Sequence, residues 1–258
     1  MSDLYVEQAG AGSPVVLLHE GIGDSRMWEP QWVPYSERFR VVRYDMRGFG
    51  QSPPAVGTYS LSGDLVELLD ALELGPAALV GMSLGGSVAM EATIARPDLV
   101  SKLVLVAPGL RGFEMNDETK AGWAEEEAAL ERGDDDAAVE INVRMWVDGP
   151  SRSPDQVDPE LRRRIGEMQR RAIDVWRKAG EEGEHRPLAE GWGERLEEIS
   201  VPTLVLVGEL DRPEMLEIAE KLEAEIPNAR REAIAGAAHV TNMERPEEFD
   251  RLVLEFLE

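Results

Sequence analysis

Apolar residues along the chain follow two spacings. Short runs that are apolar almost throughout recur at 14–19 (PVVLLH), 40–44 (RVVRY), 77–82 (AALVGM), 102–107 (KLVLVA) and 203–207 (TLVLV), and a more polar one lies at 230–235 (RREAIA). A half-buried strand alternates, so runs without alternation predict parallel strands covered on both faces. Between them the spacing changes to three and four. Apolar positions 65, 66, 68, 69 and 72 predict a helix over 62–74, and a second helix is expected over 213–225. A third, over 246–257, carries Phe249, Leu252, Val253 and Phe256 on one stripe. Strand, helix and strand in repetition predict an α/β fold with a doubly wound, mostly parallel sheet. A first strand near 4–7 feeds a glycine-rich turn at 10–12, where a hairpin fits.

One stretch breaks this rhythm. Residues 109–200 contain no strand-like run, only helical spacing and charge, with acidic clusters at 125–127 and 134–136 and arginines at 162–164. The expectation is a core domain built from 1–108 and 201–258 with a helical cap at 109–200. Ligands of open α/β sheets bind at the carboxyl ends of the strands, so such a cap would roof the site.

Composition narrows the chemistry. The 258 residues suit one large domain, or a domain with an insertion, and carry a formal charge of −24, no cysteine and three histidines. Without cysteine there is no disulfide, thiolate nucleophile or cysteine zinc site. Histidines scattered at 19, 185 and 239 leave little for a metal centre, so no metal is expected. The acidity makes nucleic acid and anionic membranes poor partners. No apolar run reaches bilayer length and the N-terminus resembles no secretory leader, so a cytoplasmic globular protein is expected. Oligomeric state is left open.

Gly81-Met82-Ser83-Leu84-Gly85 is a G-x-S-x-G pentapeptide between a predicted strand and a predicted helix. Glycines at both flanks permit the tight turn that thrusts a serine nucleophile outward; the plainer alternative is a small-residue turn with a capping serine. Along such chains the order is Ser, acid, His. His239, in the small-residue loop after 230–235, is the candidate base, whereas His185 lies in an acidic stretch and reads as surface. Asp211, in the loop after 203–207, is the candidate acid, with Glu209 as fallback. Asp211 and Glu214 also spell a capping box for the next helix, a compatible role. A tetrahedral oxyanion needs two backbone N–H donors, for which Leu84 and Gly21 are the candidates, with Ile22 behind Gly21. His19 reads as structural, its ring tied to backbone at the strand end.

Together these residues resemble the α/β-hydrolase superfamily over nearly the whole chain outside 109–200. Asp45-Met46-Arg47-Gly48-Phe49-Gly50-Gln51-Ser52 is similar to the family's D-x-R-G-x-G-x-S stretch, where Asp and Arg shape a loop. His239 followed by Glu244 and Pro246 resembles the start of its last helix. The resemblance is greatest to cofactor-free, capped esterases, enol-lactonases and meta-cleavage-product hydrolases. It implies the α/β-hydrolase fold with seven to eight strands, seven if the leading hairpin is one strand short. It also implies a small-molecule ester or lactone as substrate, with Ser83 attacking, His239 as base and Asp211 fixing the imidazole. A C–C bond hydrolase on the same triad and a ligand receptor of little turnover stay open, and perhydrolysis is a side activity of such triads. Epoxide hydrolases and haloalkane dehalogenases need a carboxylate where Ser83 stands. One departure is Glu20, in place of the family's glycine after His19; it is expected to face solvent or pair with an arginine, with substrate selection as the alternative. Trp28, Met82, Trp146 and Val240 are candidate pocket walls, as are Trp123, Met145 and Trp176 of the cap. The cap arginines are expected to pair with its own carboxylates rather than with a substrate carboxylate.

Overall fold

The apolar runs become the interior of a seven-stranded sheet in the computed structural model, which describes residues 3–180 and 183–258. The strands are β1 (Val6–Ala9), β2 (Pro14–Leu18), β3 (Arg40–Tyr44), β4 (Thr58–Tyr59), β5 (Ala77–Met82), β6 (Val100–Val106), β7 (Glu184–His185), β8 (Thr203–Gly208) and β9 (Ala229–Ile234). The main sheet runs β1-β3-β2-β5-β6-β8-β9, and all its pairs are parallel except β1 with β3. Helices are α1 (Glu29–Ser36), α2 (Leu61–Ala71), α3 (Leu84–Ala95), α4 (Asp117–Glu131), α5 (Asp135–Asn142), α6 (Pro159–Ala179), α7 (Pro213–Glu225), α8 (Thr241–Glu244) and α9 (Pro246–Leu257).

Successive side chains of the central strands point to opposite faces and enter different cores. Val16 and Leu18 join Leu79, Leu103, Leu105 and residues of α2, α3 and α7. Val15 and Leu17 join Val80, Val104, Val106 and residues of α1 and α9. Leu17 and Leu18 are completely buried, each contributing about 2 kcal/mol of transfer free energy. That two-sided cover is what the unbroken apolar runs demanded.

Two expectations need correction. The turn at 10–12 does not join a hairpin: β1 pairs antiparallel with β3, while β2 enters one place further in, between β3 and β5. The apolar β2 needs neighbours on both edges, whereas β1, with no buried residue, tolerates the sheet edge. Nor is 109–200 free of strand: β7 pairs with β4, beyond the main sheet.

Between β6 and β8 the chain forms α4, α5, a π-helical turn at Val143–Asp148, and α6. Several arginines here pair with carboxylates of the same segment, as Arg162 Nε does with Asp148 Oδ1 at 2.8 Å. Others reach outward: Arg171 Nε donates to the Gly50 carbonyl at 2.8 Å, and Arg152 Nη1 meets Glu244 Oε2 at 2.7 Å. Among the described residues no helix is long and apolar enough to cross a membrane.

Candidate active site

β5 ends at Met82 and α3 begins at Leu84, leaving Ser83 alone to turn the chain. Its φ of 49° and ψ of −111° lie where residues with a side chain are strained. The strain is held by backbone bonds: Ser83 N–H donates to Val106 O at 2.9 Å, and Ser83 O accepts from Ser87 and Gly109 N–H, both at 3.1 Å. The flanking glycines are sterically required. A Cβ on Gly81 would stand 2.4 Å from Gly85 O, and one on Gly85 2.5 Å from Leu18 O and 2.6 Å from His19 O. Leu84 is the first residue of α3, so its N–H has no acceptor within the helix. Gly21 lies beside it, with 3.8 Å from a would-be Cβ to the Leu84 Cβ. The elbow and the loop after β2 thus meet where both candidate oxyanion donors lie.

The loops after β8 and β9 bring the next pair together. His239 Nδ1 lies 2.9 Å from Asp211 Oδ2, with both side chains buried. Asp211 Oδ1 accepts from Arg212 N–H at 2.8 Å. The capping box expected with Glu214 is not formed: the N-cap of α7 is Arg212 rather than Asp211, and Glu214 Oε1 accepts from Thr119 Oγ1 at 2.6 Å. Glu209 is exposed. Before His239, Ala238 N–H donates to Glu244 Oε1 at 2.9 Å. The Trp146 ring lies against the imidazole, centroids 4.8 Å apart. Burial opposes charge on His239, yet the charge and hydrogen bond of Asp211, helped by Glu20 and Glu244, outweigh it and raise the imidazole above its usual 6.5.

At the end of β2, His19 Nδ1 donates to Glu20 O at 2.7 Å, while Nε2 accepts from Met46 N–H at 2.9 Å. Burial drives its pKa down, and this neutral tautomer satisfies both bonds. Asp45 closes the following loop by accepting from Ser25 and Gln51 N–H at 2.8 and 2.7 Å, and Arg47 pairs with Asp64 at 2.9 Å.

Glu20 departs from its expected place. It is neither exposed nor paired with an arginine: it is 1% exposed, its Oε2 stands 4.0 Å from His239 Nε2, and its Oε1 has no hydrogen-bond partner. Burial, with Asp211 adding to it and His239 opposing, pushes its carboxyl up to about 7.

Ser83, His239, Glu20 and Gly21 line a cavity of about 250 Å³, closed from the 109–200 segment by Glu126, Asn142, Trp146 and Gln169 among others. Ser83 also borders a less polar cavity of about 520 Å³ with Leu110, Phe113, Met115 and Met215 on its walls. Trp123 and Trp146 are common to both. A third cavity of about 650 Å³ reaches Leu84 and Gly109 and is bordered by Trp176 and the exposed His185. Trp28, Met82 and Val240 are not on these walls; all three are completely buried in the core on the α1/α9 side. Met145 is also buried, with Ala129, Ala138 and Ile173. Sequence reasoning missed Glu126, Asn142 and Gln169. Gln169 had left a trace, a polar residue on the stripe Leu161, Ile165, Ala172 and Ile173 that α6 turns inward.

The likeness to known proteins extends over the same elements. A family model for the α/β hydrolase fold matches residues 14–246. A candidate carbamate hydrolase of Caulobacter segnis is 29% identical, over 96% of this chain and 92% of that protein. A 3-oxoadipate enol-lactonase of Acinetobacter baylyi is 26% identical, over 95% of this chain and 89% of that protein. Among solved structures, a thermophilic esterase from Thermogutta terrifontis superposes with a TM-score of 0.79 at 27% identity, covering 98% of this chain and 92% of that one. With β2 to β9, the elbow and the loops beyond β8 and β9 all inside the matched span, the chain belongs to the α/β-hydrolase fold family.

Proposed function

We propose that the protein is a serine hydrolase that cleaves a small carboxylic ester or lactone through an acyl-enzyme. The observation that carries this reading is one cavity wall shared by a strained, outward-turned Ser83 and a His239 whose far nitrogen is bonded to buried Asp211. Asp211 accepts from Nδ1–H and so leaves Nε2 free of a proton to act as base. Ser83 Oγ adds to the substrate carbonyl carbon as its proton passes to Nε2, and the carbonyl oxygen becomes an oxyanion facing the Gly21 and Leu84 N–H groups. The intermediate collapses, the C–O bond breaks, and His239 returns the proton to the departing alcohol. Water then repeats the sequence on the acyl-enzyme. Each such donor is worth on the order of a hundredfold in rate. Every step uses groups of the chain and water, with no metal or cofactor.

The relatives support this class, since they include an esterase and an enol-lactonase. Residues 109–200 serve in this reading as a cap over a core of 1–108 and 201–258, supported by the side chains that α4 to α6 place over Ser83. The test is Ser83→Ala. The parent is expected to hydrolyse p-nitrophenyl esters and to be labelled by a fluorophosphonate, and the variant to do neither; retention of both by the variant overturns the reading.

A further inference from the structure

Two side-chain acceptors on the wall of the small cavity beside Ser83 meet no donor. Glu20 Oε1 and Gln169 Oε1 are both buried without a hydrogen-bond partner, and each residue is 1% exposed. Glu126 brings a second carboxyl to the wall, one oxygen taking Asn142 Nδ2 at 2.6 Å. Among the described residues no lysine or arginine borders this cavity, and His239 is its one basic side chain. The loop is shaped around the Glu20 side chain, since a Cβ on Gly23 would come within 3.2 Å of Glu20 Cγ and 3.5 Å of Oε1. A buried carboxyl and a buried amide oxygen left without donors are costly to the fold, and a ligand that supplies donors relieves both.

We propose that this cavity is a subsite for a primary ammonium group on the substrate, with Glu20 as counter-ion and Gln169 and Glu126 as further acceptors. The assignment rests on the serine hydrolase reading for the reaction it serves. An ammonium carries three donors and no acceptor, which matches the two unpartnered acceptors and the Glu126 carboxyl on this wall. Burial pushes the Glu20 carboxyl up to about 7 and also raises Glu126; a bound cation favours the ionised form of each. With Glu20 Oε2 4.0 Å from His239 Nε2, the ammonium sits close to the reacting carbonyl. The substrate class is therefore an ester of a short amino acid or amino alcohol, and esters bearing a free carboxylate are disfavoured.

The experiment compares three p-nitrophenyl esters of matched length: 3-aminopropanoate, butanoate and hydrogen succinate. The parent is expected to show a kcat/KM for the aminopropanoate above that for butanoate by about tenfold or more, with succinate lowest. Glu20→Gln is expected to bring the first ratio close to one, and Gln169→Leu to reduce it severalfold. Equal ratios in parent and Glu20→Gln, or a preference for succinate, overturn the subsite while the ester reading stands. Binding of butylammonium against butyrate, followed by fluorescence of the tryptophans on the cavity wall, gives a readout independent of turnover. If no ester is cleaved, the ester reading fails, and tighter binding of butylammonium that Glu20→Gln abolishes still upholds the subsite. Should Glu20→Gln fail to fold, Gln169→Leu decides the question by the same two measurements.

Discussion

Glu20 Oε2 stands 4.0 Å from His239 Nε2 while Asp211 Oδ2 holds Nδ1 at 2.9 Å, so one imidazole lies between two buried carboxyls. In the proposed reaction His239 must be neutral to accept the Ser83 proton, and the acidic groups facing it, Asp211, Glu20 and Glu244, all favour its protonated form. The acid limb of kcat/KM for a neutral ester is therefore expected above pH 6.5. Because the two groups interact, the limb reports the pair. Glu20→Gln removes the charge that Glu20 gains as it ionises near pH 7 and is expected to move the limb to lower pH; a limb that stays in place contradicts this coupling.

Glu20 also makes stability depend on pH. Its carboxyl holds its proton up to about pH 7 in the folded protein, against an ordinary value of 4.5. Between those values the folded state binds more protons than the unfolded one, so this group's stability contribution is complete below about 4.5 and is lost as pH rises through 7. The gap corresponds to roughly 3 kcal/mol. Well above pH 7, Glu20→Gln is expected to be more stable than the parent by roughly 2–3 kcal/mol, and at pH 4.5 to match it. Urea midpoints at the two pH values measure the difference.

The strain at Ser83 is separable from its chemistry. Ser83→Ala and Ser83→Gly both remove the proposed nucleophile, but only glycine relaxes at a φ of 49°. The glycine variant is expected to be about 1 kcal/mol more stable than the alanine variant, despite glycine's entropic cost in the unfolded chain. A melting temperature for Ser83→Gly at or below that of Ser83→Ala would show that the turn carries no strain.

Glu244 ties two parts of the site together. One carboxylate oxygen takes Arg152 Nη1 at 2.7 Å, and the other takes the Ala238 N–H just before His239. Both side chains of the pair are largely buried. Glu244→Ala leaves Arg152 without its carboxylate, held only by the Asp148 and Val147 carbonyls, and frees the histidine loop, with an expected loss of about 3 kcal/mol and a fall in kcat of roughly tenfold to a hundredfold. Arg152→Ala leaves the bond to Ala238 in place and should spare kcat far more. Similar kcat losses in both variants would mean that the loop does not depend on Glu244.

What was legible in the sequence was what is local. Apolar runs mark β2, β5, β6 and β8 because both faces of those strands are covered, and the elbow is readable because Gly81 and Gly85 answer contacts within a few residues of Ser83 or at the adjoining strand end. The place of β1 was not legible, since its partner β3 is chosen by which strand needs two neighbours. Glu20 was misread for a related reason: a charged residue after a strand normally faces water, and here the cover comes from helices more than a hundred residues away. Gln169 and Asn142 join the cavity through the same long-range packing, visible in advance only as a polar interruption on α6.

The close approach of Gly85 to the carbonyls of Leu18 and His19 has a consequence for how this protein can change. Hard-sphere contact between two backbone segments, rather than side-chain packing, sets the spacing between the serine and the neighbouring loop that carries Gly21. The helices of 109–200 supply Glu126, Asn142, Trp146 and Gln169 from outside that rigid unit. In the proposed reaction, substitutions in those helices can therefore exchange one clientele for another without retuning the distance between Ser83 and the Gly21 loop, so that selectivity and chemistry are free to evolve on separate schedules.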